Sequence, residues 1–191
     1  MGKKLFLFFL ILALSFVKAQ STLPISKSFD SSRILAKGSD NQIVVWIQPR
    51  FEELQKTLET FPKVNCIEFA FLVQNMKNNS FIIRPQKSMI IYKDKTTEEI
   101  FPGERWKDIK TGKPGKYVHL GPSILEVNNE DVSLFDLDSV KIRKDDYSVY
   151  KVSFVVGKED TYESFIEKIK GFIVVVEPLK GKSFNLIVNV L

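Results

Sequence analysis

From Asn41 onward the chain alternates short apolar runs with Gly, Pro, Asn and Asp punctuation, the rhythm of strands joined by turns. The run "IVVWI" is enclosed by Asp40 and Asn41 before it and Pro49 after it, which predicts a buried strand. In "CIEFAFLVQN", Ile67, Phe69, Phe71 and Val73 share one face and Cys66, Glu68, Ala70 and Leu72 the other. That period of two predicts a strand whose larger side chains mark the core face. "QNMKNNS" then predicts a turn, because Asn tolerates left-handed backbone and its side chain bonds nearby peptide groups. Phe81 to Ile83 is expected to return antiparallel to the preceding strand. Further strands are predicted in "SMIIYK", "YVHL", "SILEV", "SVKIR", "YSVYKVSFVV", "FIVVVEP" and "SFNLIVNVL".

Two segments change period. In "PRFEELQKTLETFP", Phe51, Leu54, Leu58 and Phe61 recur at helical spacing between Pro49 and Pro62. In "EDTYESFIEKIKGF", Tyr162, Phe165, Ile166 and Ile169 form a similar stripe, with Gly171 expected as the C-cap. Many short strands with two short amphipathic helices predict a mainly β fold, an antiparallel β-sandwich of immunoglobulin-like or related kind. Each helix stands between two apolar strands, so α+β is the alternative. A membrane β-barrel fits poorly, because "IVVWI", "IVVVEP" and "LIVNVL" are apolar on both faces.

The first residues have a different texture. Lys3 and Lys4 precede an unbroken apolar run from Leu5 to Leu14, and Val17 and Ala19 stand where a signal peptidase would need small residues. This predicts a signal peptide over residues 1–19, cut after Ala19, with a retained anchor as the alternative. The run is shorter than the roughly 20 residues of a spanning helix, so no spanning segment is expected after removal. Residues 20–40, rich in Ser and charge without a period, are expected to form an extended N-terminal arm, and 41–191 a single β-rich domain. The net charge of +5 includes Lys3, Lys4 and Lys18, so the mature chain keeps only +2. Nucleic acid is therefore not the expected partner. Localisation is expected to be periplasmic, extracellular or otherwise secreted.

Composition then narrows the chemistry. One Cys and one His exclude a zinc site built within the chain, and no Gly-x-Ser-x-Gly elbow presents a serine to His119. Neither a metal nor a cofactor is expected, and no catalytic constellation is recognisable. Cys66 is expected to pack as a small apolar residue or to form an intermolecular disulfide, since an odd cysteine outside the cytoplasm has no internal partner. The acids and amides of "NNEDVSLFDLDS" are oxygen ligands of the kind calcium takes, but turn residues leading into a solvated strand edge account for them better.

The segment most suited to binding is the Gly- and Pro-broken "FPGERWKDIKTGKPGKYVHLGP", which carries Arg105, Trp106, Lys107, Lys110, Lys113, Lys116 and Tyr117. Its Trp could stack on a sugar or a partner's apolar group, and its cations could meet oxyanions. The expected function is an exported, non-catalytic domain with a binding or structural role, meeting a protein or glycan partner at the cell envelope or outside the cell. One alternative is a carbohydrate-binding module or carboxylate-dependent glycosidase with Trp46, Trp106 or Tyr117 as stacking platforms. Another is an adhesion or assembly subunit whose sheet edge, "SFNLIVNVL", is completed by a partner, so an oligomer is possible.

Overall fold

A computed structural model describes residues 23–40, 42–50, 66–99, 123–134, 139–155 and 162–191. The chain is mainly β, with its strands antiparallel and its helical content minor. The strands are β1 (Ala36–Asp40), β2 (Ile43–Pro49), β3 (Cys66–Asn75), β4 (Phe81–Ile83), β5 (Met89–Tyr92) and β6 (Thr97–Glu99). They continue with β7 (Ser123–Val127), β8 (Glu130–Leu134), β9 (Val140–Ile142), β10 (Tyr147–Val155), β11 (Ile169–Pro178) and β12 (Phe184–Val190). Helix α1 (Tyr162–Lys168) precedes β11 directly.

The strands follow one path, β6-β5-β11-β12-β1-β2-β3-β10-β7-β8, which folds over on itself in a sandwich-like manner. One layer is centred on β2, β3 and β10, the other on β11 and β12. Between them lie Val45, Ile47, Phe69, Phe71, Tyr150 and Val152 from the first layer and Phe172, Val174, Leu186 and Val188 from the second. Phe172 meets both Phe69 and Phe71 edge-on at centroid distances of 5.1 and 5.8 Å, and Phe71 stacks on Tyr150 at 5.1 Å. These aromatic contacts tie the layers together, because such geometries add to simple burial.

β3 has both of its edges occupied, by β2 and by β10. The short strand β4 therefore does not return beside β3, as the turn between them predicts, but pairs with β11 and β9 in the opposite layer. The corner where this crossing occurs is pinned by Asn75, which is fully buried. Its Nδ2 donates to the carbonyls of Asn79 at 3.0 Å and Arg143 at 2.8 Å, and its Oδ1 accepts from Lys77 N at 2.8 Å. One amide side chain thus joins the β3–β4 and β9–β10 reversals.

The second predicted helix is shorter than its apolar stripe. Strand β11 begins at Ile169, so Gly171 is not a C-cap but lies inside the strand beside a register shift. The β-branched run that follows favours extended backbone and reclaims the last helical turn. Gly171 is needed there for another reason, since a Cβ would stand 2.5 Å from the Val188 carbonyl oxygen. Close approach to β12 permits no side chain. The first predicted helix lies outside the described residues.

Strands β1 and β6 have no counterpart in the predicted set, while β8 corresponds to the solvated strand edge expected after the Asn128–Asn129 turn. β1 falls at the end of the predicted arm, where Ala36–Asp40 joins β12 to β2 and links the two layers. β12 consequently sits between β11 and β1, so "SFNLIVNVL" is an interior strand and not an open edge. Among the described residues no helix is long and apolar enough to cross a membrane.

Candidate functional site

The outer face of β2, β3 and β10 is apolar at its centre, where Val44, Trp46, Ala70, Leu72, Tyr147 and Val149 form a second buried cluster. A sheet face of that character must be covered, and the cover is the N-terminal arm. Phe29 is 5% exposed within this cluster, and Leu23 and Ile34 pack at its margin. Trp46 is consequently 2% exposed, with Lys37 Nζ 5.6 Å from its ring centroid. It is a core residue and cannot serve as a stacking platform for a sugar.

Polar contacts fix the arm over the apolar ones. Glu126, on β7, is fully buried and its Oε2 accepts from Ser26 Oγ at 2.9 Å and from Ser28 N at 2.8 Å. Its Oε1 accepts from Tyr147 Oη at 2.5 Å, and the same hydroxyl lies 2.9 Å from the Ile25 carbonyl. Burial opposes ionisation of Glu126, but the donors from Tyr147, Ser28 and Ser26 outweigh it and hold the carboxyl below its ordinary range. Burial together with the Glu126 carboxylate pushes the Tyr147 phenol up to about 12. The pair is a carboxylate and a neutral phenol across the whole neutral range.

Further along, Asp30 N donates to Gln48 Oε1 at 2.8 Å, which attaches the arm to the end of β2. Asp30 then caps a short 3₁₀ turn, Ser31–Arg33, through Ser32 Oγ at 2.7 Å and Ser32 N at 2.9 Å, and Arg33 Nε stands 3.5 Å from its Oδ2. The Ser32 hydroxyl and N–H, with help from Arg33, lower the Asp30 pKa. Arg50 N in turn donates to Glu68 O at 2.9 Å, so the strand end that faces the arm is held to β3.

Between this looped part of the arm and the end of β2 lies an open cleft of about 510 Å³, lined by residues 26–31, Arg33 and residues 48–50. Its volume falls in the range of small-molecule sites. Lys27, Arg33 and Arg50 supply its cationic groups, and Asp30 supplies its carboxylate. Ser26, Ser28 and Ser31 add hydroxyls. Such a lining can hold a polar ligand through directed hydrogen bonds and charge.

The cleft was not a sequence expectation. Its residues fall in an arm without periodicity, and the available signals were slight: the Asp-x-Ser spacing of a local cap, and isolated apolar residues at Leu23, Phe29 and Ile34. The expected basic loop, with Arg105, Trp106, Lys107, Lys110, Lys113, Lys116 and Tyr117, lies outside the described residues, as does His119. Cys66 opens β3, and its side chain also lies outside them. Asn128 and Asn129 form the left-handed turn of the β7–β8 hairpin, at φ of 47° and 68°, and Glu130 and Asp131 begin the edge strand. Asn128 Nδ2 donates to Asp146 Oδ1 and its Oδ1 accepts from Tyr147 N, so the amide serves the turn. Among the described residues no three His, Cys, Asp or Glu side chains converge. The chain matches no model of a known protein family and none of the curated proteins with which it was compared.

Proposed function

We propose that this protein is an exported, non-catalytic binding domain of the cell envelope or extracellular space, and that its ligand site is the cleft between the N-terminal arm and the end of β2. The leader-like residues 1–19 support export. The cleft itself carries the reading, because loops and arms fixed on a rigid sheet are where binding groups collect. A carboxylate held ionised by Ser32 and three surrounding cations suit recognition better than proton transfer near neutral pH.

The test uses purified mature chain on an array of glycans and acidic small molecules. Ser31→Trp, which fills the cleft from an exposed position, is expected to abolish binding to every ligand that registers. Trp106→Ala combined with Lys110→Ala and Lys113→Ala is expected to leave binding intact. Loss of binding in the loop variant alone would move the site to residues 101–117 and defeat the proposal.

A further inference from the structure

The chemistry of the cleft specifies more than its presence does. Most acceptors beside it are already engaged within the chain: Glu126 takes Ser26, Ser28 and Tyr147, Asp30 Oδ1 takes Ser32, and Gln48 Oε1 takes Asp30 N, which leaves Asp30 Oδ2 with Arg33 alone at 3.5 Å. The cations of the lining outnumber its carboxylates, Lys27, Arg33 and Arg50 against Asp30. Gln48 spends its oxygen on the arm and keeps its amide N–H groups, and Arg33 meets Asp30 through Nε alone at 3.5 Å. Lys27 makes no ion pair among the described residues. A lining with three cations and one carboxylate is net positive, which a neutral polyol does not complement.

From this imbalance we infer that the ligand is an organic oxyanion bearing more than one sulfate, phosphate or carboxylate group, held by Lys27, Arg33 and Arg50. This inference rests on the cleft being the binding site. Two of the cations, Lys27 and Arg33, come from the arm and the third, Arg50, from the end of β2, so both walls of the cleft contribute. Guanidinium groups match the paired oxygens of such ligands, and the ammonium of Lys27 adds a mobile point charge at the rim. A cleft of about 510 Å³ has room for a disaccharide-sized molecule, well beyond a single inorganic ion. The Glu126 contacts at Ser26 and Ser28 flank Lys27 on both sides, so they place the cation that the ligand meets.

Isothermal titration of the mature chain with a fully sulfated disaccharide, its unsulfated counterpart, citrate and inorganic pyrophosphate tests the assignment. The sulfated disaccharide is expected to bind at least tenfold more tightly than the unsulfated one and to weaken as salt rises from low to high concentration. The ranking against citrate and pyrophosphate identifies which oxyanion the cations prefer. Lys27→Ala and Arg33→Ala, both on the exposed arm, are each expected to weaken binding roughly tenfold. Arg50→Gln is expected to do the same. If Arg50→Gln fails to fold, the two arm variants decide the question alone. Absence of binding by all three anionic probes up to millimolar concentration overturns the inference. Equal binding of the unsulfated disaccharide overturns it too, and Ser31→Trp then separates two cases. If that variant blocks the neutral sugar, the cleft stands and only the ligand class is wrong. If it does not, the cleft reading falls as well.

Discussion

Glu126 shows how much one buried residue can organise here. It sits mid-strand in "SILEV", where an isolated acid on a strand would ordinarily mark a solvent face, yet it is fully buried because the arm brings donors to it. The lowered pKa of Glu126 means that its contribution to arm docking is complete above the ordinary value of 4.5 and is lost as pH falls through the lowered one. The raised pKa of Tyr147 means that its contribution is complete below 10 and is lost as pH rises toward about 12. In a Trp106→Phe background, emission from Trp46 under the arm is therefore expected to stay constant from about pH 5 to pH 10. It should shift to the red beyond either end, and Glu126→Ala should show the red-shifted emission at pH 7. Asn75 acts at the same scale on the other side of the molecule. Asn75→Ala removes four hydrogen bonds from a buried corner, one of them a long contact to the Ile142 carbonyl at 3.4 Å, and is expected to cost about 3 kcal/mol in denaturant melts.

Elements were legible in proportion to how far their own residues specified them. "CIEFAFLVQN" coincides with β3 because two buried faces leave a period of two that no helix would show. The Asn128–Asn129 pair announces its turn, since Asn adopts positive φ cheaply. β1, "AKGSD", gives no such signal. It is a strand because β2 and β12 pair with it, and Gly38 lets it cross β12 where a Cβ would overlap the Ile187 carbonyl. The arm is an element of the same kind, shaped by what it covers. Phe29→Ala is expected to destabilise the domain by about 3 kcal/mol and to raise amide exchange over residues 23–35 above that of β3. Unchanged exchange in the arm would mean that Phe29 is not what holds it.

At the scale of the whole molecule, a folded-over antiparallel sheet buries one core between its layers and leaves a second apolar face outside. Covering that face with the arm costs chain entropy and is offset by burying Phe29 and its neighbours. It also creates the cleft, because the arm passes the end of β2 between Ser26 and Arg33 before pairing with the sheet at β1. Pairing between strands distant in sequence, such as β4 with β11, leaves no local pattern, and a cleft made from an arm and a strand end is hidden for the same reason. The most direct measurement is an amide chemical-shift map of residues 20–191 titrated with the fully sulfated disaccharide. The largest shifts are expected to cluster in residues 26–33 and 48–50. Shifts concentrated in residues 101–117, with the arm unaffected, would contradict it.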